Sequence, residues 1–70
     1  MLYCEYRRRE LGLSQQKLGK KVFINQTLIS LMERGRYIPT PQQLGKLSFA
    51  LGIPENKLLQ TVKLEEQYER

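Results

Sequence analysis

Apolar residues recur at helical spacing in five stretches of the chain, and polar or glycine punctuation separates the stretches. Cys4 and Leu11 lie seven apart, two turns along one face, which predicts a first helix from about Leu2 to Leu11 with Gly12 as its stop. Ser14 reads as the N-cap of a second helix, Gln15 to Val22, whose buried stripe is Leu18 and Val22. Asn25 reads as the N-cap of a third, Gln26 to Arg34, with Ile29 and Met32 inward and Gly35 as terminator. Thr40 caps a fourth, and Pro41 holds the first helical position, where its missing N–H is harmless. That helix places Leu44, Leu47 and Leu51 inward and ends at Gly52. Leu58, Leu59 and Val62 then suggest a fifth helix, from about Glu55 into the high sixties. No run alternates apolar and polar residues as a strand would, and no Asn-Gly or Asp-Gly turn occurs. The expectation is one compact all-α domain of five helices spanning residues 1–70.

The link between the second and third helices matters most. Only Phe23 to Asn25 separates them, and a connection that short forces two amphipathic helices to cross at a large angle. The second helix of such a pair projects from the body and can enter the major groove of DNA.

Charge sharpens this reading and composition narrows it. The chain carries +5, unevenly placed. Residues 1–50 hold nine Lys and Arg against three Glu, whereas residues 51–70 hold three against four. A basic body suits a polyanion, although a solvated surface has the same composition. There is one cysteine and no histidine, so neither an intramolecular disulfide nor a zinc site is expected, and the commonest general base is missing. An enzyme is the least supported class, and no cofactor or metal is expected. No apolar run is long enough to span a membrane and no leader pattern is present, which points to the cytoplasm. Met1 at the start reads as a short chain complete in itself.

The residues Leu13-Ser14-Gln15, Leu18-Gly19, Ile29-Ser30, Glu33-Arg34-Gly35, Pro39-Thr40 and Ala50-Leu51-Gly52-Ile53 resemble the lambda-repressor-like helix-turn-helix family, the Cro and xenobiotic-response-element type, over about residues 4–60. The resemblance implies a helix-turn-helix at about residues 14–34 and double-stranded DNA as partner. It implies a salt bridge between Arg8 and Glu33 and a small residue, Gly19, where the second and third helices pack. It also implies that Gln15 and Gln26 pair at the helix starts. One departure stands out: the family often has glycine where Phe23 stands, so either the turn avoids a left-handed backbone or Phe23 accepts strain in exchange for burial.

Candidate DNA contacts follow. Gln26, Thr27 and Ser30 offer donors, acceptors and a methyl to base edges. Leu31 falls either against a thymine methyl or at the core edge. Ser14, Gln15, Gln16 and Lys17 surround the free amides at the start of the second helix, a place for phosphate. Asn25, Arg34, Arg36 and Tyr37 would follow the backbone. Lys20 and Lys21 read as plain surface, as do Arg7 and Arg9. Family members usually bind as two-fold dimers. Ile38 and Phe49 are apolar yet outward by pattern, and the C-terminal helix continues through Leu64 and Tyr68, so this tail, with or without Phe49, is the expected homodimer surface. The expected function is a prokaryotic or phage repressor. An antitoxin, a restriction-modification controller or a protein-interaction module built on Leu28, Leu31 and Phe49 are the alternatives.

Overall fold

Polar side chains open three of the four α-helices in the computed structural model, which describes residues 1–62. Ser14 accepts from the Lys17 N–H at the start of α2 (Gln15–Val22), and Asn25 from the Thr27 N–H at the start of α3 (Gln26–Glu33). Thr40 and Gln43 form a reciprocal capping box at the start of α4 (Pro41–Leu51). Each cap satisfies an amide that has no partner within its own helix, so these starts are locally encoded.

The first helix, α1 (Tyr3–Glu10), begins differently. Its cap residue, Leu2, offers no side-chain acceptor. Its orphan amides are met from the far end of the chain instead: Tyr3 donates to the Gln60 carbonyl and Cys4 to the Leu58 carbonyl, at 2.8 and 3.0 Å. An antiparallel bridge between Leu2 and Thr61 continues this pairing, and the Val62 N–H donates to the Met1 carbonyl. This corrects the expected fifth helix. After Pro54 the chain makes one 3-10 turn, Glu55–Lys57, continues in turns through Gln60, and pairs with the N-terminus at Thr61. A helical Leu58–Val62 would turn those carbonyls onto its own amides, whereas the fold uses them to cap α1. The apolar spacing was real but marked burial, not helix: Leu58 and Val62 are both buried. Any helix through Leu64 and Tyr68 lies outside the described residues.

Among the described residues there are four α-helices and no strand beyond that single bridge. Cys4, Leu18, Val22, Ile24, Ile29, Met32, Leu47, Leu51 and Leu58 form one core. Leu11, expected inward, is exposed; on α1 the buried positions are Cys4 and Arg8, one turn apart. Arg7 is not simply solvated, because its Nε donates to the Leu51 carbonyl at the end of α4.

The α2–α3 turn is tight for a definite reason. A Cβ on Gly19 would stand 2.5 Å from the Ile24 carbonyl oxygen, so only glycine lets the chain fold back so closely. Phe23 adopts the left-handed backbone that the turn requires, with φ 59°. It gains no burial in return, since the residue is 85% exposed. Strain is therefore present, and the compensation expected for it is not.

Two stability measurements test this packing. In urea unfolding, Gly19→Ala lowers stability by about 1–3 kcal/mol through the clash with Ile24. At protein concentrations low enough for the chain to be monomeric, Phe23→Gly raises it by up to about 1 kcal/mol through relief of the left-handed strain, less glycine's entropy. A loss on Phe23→Gly would contradict the account.

The buried thiol gives a second test. Burial pushes the Cys4 thiol up from 9.0 to about 11, and the nearby Glu33 charge adds to the rise. The unfolded thiol ionises first, so this contribution is complete below about pH 9 and is lost as pH climbs toward 11. Between pH 8 and 11 the native chain therefore loses about 2 kcal/mol more stability than Cys4→Ala. Equal losses would show that the thiol is not buried as described.

Candidate nucleic-acid interface

One buried carboxylate organises the helix-turn-helix. Glu33, the last residue of α3, receives both arms of the Arg8 guanidinium, Nε to Oε2 at 2.7 Å and Nη2 to Oε1 at 3.0 Å. Both side chains are almost fully enclosed. Arg8 spends a third donor on the Leu13 carbonyl, and Gln15 Nε2 donates to Glu33 Oε1 at 3.0 Å. This single cluster ties α1, the α1–α2 loop and the start of α2 to the end of α3. The Glu33 hydrogen bond and charge raise the Arg8 pKa against the opposing effect of burial, so the guanidinium stays charged. Among the described residues no buried side-chain polar atom lacks a partner.

Gln15 is thus placed differently from the expected pairing. Its amide is bound to Glu33, not to Gln26, because Glu33 Oε1 has a lone pair to offer inside the cluster while Gln26 is exposed. Gln15 orients the helix ends from within.

The remaining candidates divide by position. Gln16, Asn25, Gln26 and Thr27 line one shallow concavity, where the start of α3 meets α2. Asn25 Oδ1 is occupied by the cap, which leaves its amide N–H groups for another partner. Ser14 and Lys17 are exposed at the start of α2. Ser30 is half-buried and accepts from Arg34 Nη2, so Arg34 folds back along α3. Arg36 is exposed in the following loop. Tyr37 is half-buried and its hydroxyl donates to Gln43 Oε1, which anchors the loop to the α4 capping box. Leu31 is half-buried on α3, while Leu28 packs against the core.

One further residue belongs with this group. Lys20 lines the same concavity as Gln26 and Thr27, although its surface position in the sequence reads as bland. The signal was its spacing: four residues after Gln16, it stands one turn along the same face of α2. The concavity is mixed, with exposed donors at two helix N-termini beside Phe23 and Ile24. Among the described residues no group of His, Cys, Asp or Glu is placed to hold a metal, and no helix is long and apolar enough to cross a membrane.

A helix-turn-helix family model matches residues 5–58, most of the chain. The protein belongs to that family, the lambda-repressor-like type. It is also similar to an uncharacterized HTH-type transcriptional regulator of Methanothermobacter thermautotrophicus, 38% identical over 45 residues. That match spans 64% of this chain and 65% of the relative, just under two thirds of the relative's length. No solved structure matches significantly.

The central cluster yields a prediction for unfolding. Glu33→Ala leaves the Arg8 charge buried without its partner and lowers stability by about 3–5 kcal/mol. Replacing both residues by apolar ones, Arg8→Met with Glu33→Leu, recovers most of that loss, because no unpaired charge remains. Chemical denaturation of the three proteins checks this. A loss below about 1 kcal/mol for Glu33→Ala would mean that the pair is solvated.

Proposed function

We propose that this chain is a sequence-specific DNA-binding transcription regulator that represses by occupying an operator, with α3 in the major groove. The observation that carries the reading is the rigid presentation of α3. Its N-terminal residues are exposed while its C-terminal Glu33 is locked to Arg8 and Gln15. Such a helix offers its first turn to base edges without losing freedom on binding. Family membership and the printed description of the archaeal relative support the same class.

In this reading Gln26 is the base reader, able to bond bidentately to adenine, and Thr27 offers a hydroxyl or methyl beside it. Leu31 packs against a thymine methyl, and Ser30 supports Arg34. The amides at the start of α2, with Ser14, Gln16 and Lys17, hold a phosphate, and Asn25, Lys20 and Arg36 hold others. Gln15 and Tyr37 act through position, the first by orienting α2 against Glu33 and the second by holding the loop. One recognition helix reads few base pairs, so two copies on a two-fold palindrome are required for a useful site. The protein works in the cytoplasm.

Selection of bound sequences from random duplex DNA tests the proposal. The native chain enriches a palindromic site, and Gln26→Ala relaxes the preference at one base position per half-site, at a loss of about 1–3 kcal/mol. Arg36→Ala weakens all sequences alike and reduces the salt slope of log K by about 1. Binding indifferent to sequence, with no change in Gln26→Ala, would overturn the reading.

A further inference from the structure

Two exposed phenylalanines share one groove. Phe23 is 85% and Phe49 92% exposed. Both line an open groove between the C-terminal end of α2 and the outer face of α4, with Pro41, Ala50, Lys21 and Lys46. Lys46 Nζ lies 5.6 Å from the centroid of the Phe23 ring. Packing does not account for either ring. Phe23 in particular keeps a left-handed backbone that glycine would adopt without strain, yet its ring stays in solvent. Strain held at an exposed aromatic points to a role outside the fold. One exposed apolar residue is ordinary, but two in one lysine-rimmed groove form a recognition surface.

The lysines select what fits there. Two such grooves packed face to face would bring Lys21 and Lys46 against their own copies, a juxtaposition that like charges oppose. An acidic segment with two apolar anchors is complementary instead. The chain contains one at residues 63–70, of net charge −1, where Leu64 and Tyr68 stand four apart among Glu65, Glu66 and Glu69 and the two cations, Lys63 and Arg70, stand at its ends. These residues lie beyond the described ones. Val62 is bonded to Met1, next to the Leu2–Thr61 bridge. Leu2 lies beside Met32 and Gly35, at the C-terminal end of α3. Phe23 precedes the opposite end of α3, about 12 Å of helix away. The described chain therefore ends near the opposite end of α3 from Phe23, and the groove stands open to a segment from a second copy.

We propose that the C-terminal segment 63–70 of a second copy docks in the Phe23–Phe49 groove, Leu64 and Tyr68 against the two rings and the glutamates toward Lys21 and Lys46. This rests on the dimeric reader proposed above and assigns the surface that joins its copies. Tyr68 adds an aromatic pair to the burial, and the charges set register and exclude a face-to-face pairing.

Sedimentation equilibrium of the full chain tests it, with circular dichroism to confirm that each variant folds. The native protein dimerises. Phe49→Ser, Tyr68→Ser and Lys46→Glu each raise the dissociation constant at least about tenfold. Lys46→Glu combined with Glu66→Lys returns it to within about threefold of native, because the reversed charges meet again. Selection on DNA run with Phe49→Ser retains the base preference within a half-site and loses the requirement for two. A dimer indifferent to Phe49→Ser and Tyr68→Ser, with palindromic selection intact, would overturn the groove assignment and leave the dimeric reader standing. A native chain that is monomeric throughout and selects single half-sites would overturn both the groove and the dimer.

Discussion

The Arg8–Glu33 pair is the contact on which the presentation of α3 depends. A guanidinium with a fixed fork and a carboxylate with two oxygens meet at 2.7 and 3.0 Å in an enclosed site, so the relative direction of α1 and α3 is set by bond geometry as well as by side-chain shape. The Leu13 carbonyl and the Gln15 amide complete the cluster. That completion is what makes a buried ion pair tolerable, since an isolated one is repaid poorly for its desolvation. Its yield is orientation more than net stability.

Around this cluster the small chain closes on itself by mutual capping. The carbonyls of Leu58 and Gln60 serve the amides that α1 leaves open, and Arg7 serves the Leu51 carbonyl at the end of α4. A core of this size has little surplus stability, so helix ends left unsatisfied would be costly. The tightest point is the α2–α3 turn, where Gly19 admits the Ile24 carbonyl and Phe23 bears the left-handed backbone. The first is an accommodation made for packing. The second has no packing return, which is why the ring at Phe23 is read as part of a binding surface.

Local chemistry made part of this legible beforehand. Ser14, Asn25 and Thr40 announce helix starts because each cap bond closes within three residues, and α2 and α4 begin and end where those signals stand. The Arg8–Glu33 contact was reached through the family resemblance, since nothing in a 25-residue separation encodes it locally. Leu58, Leu59 and Val62 have helical spacing, yet the carbonyls of Leu58 and Gln60 are taken up by the amides of α1 at the other end of the chain, a demand that local spacing does not carry. The Gln15 amide meets Glu33 and not Gln26 for a related reason: which carboxylate or amide lies within reach of a helix-start side chain is a tertiary fact. Lys20 was overlooked because a lysine on a helix has a plain solvated reading unless the neighbouring face is known.

Two surfaces meet at Phe23, which lines both. At the start of α3 lies a mixed concavity, with Gln26 and Thr27 exposed and the cluster at Glu33 holding the helix behind them. On the other side of Phe23 lies an apolar groove rimmed by lysines. The central claim is that DNA meets the first of these. Backbone amide shifts followed by NMR during titration with a selected duplex test it most directly. The largest changes are expected at residues 14–17 and 25–27, with Arg8 and Glu33 nearly unmoved. Changes confined to the Phe23–Phe49 groove, with residues 25–27 silent, would contradict it.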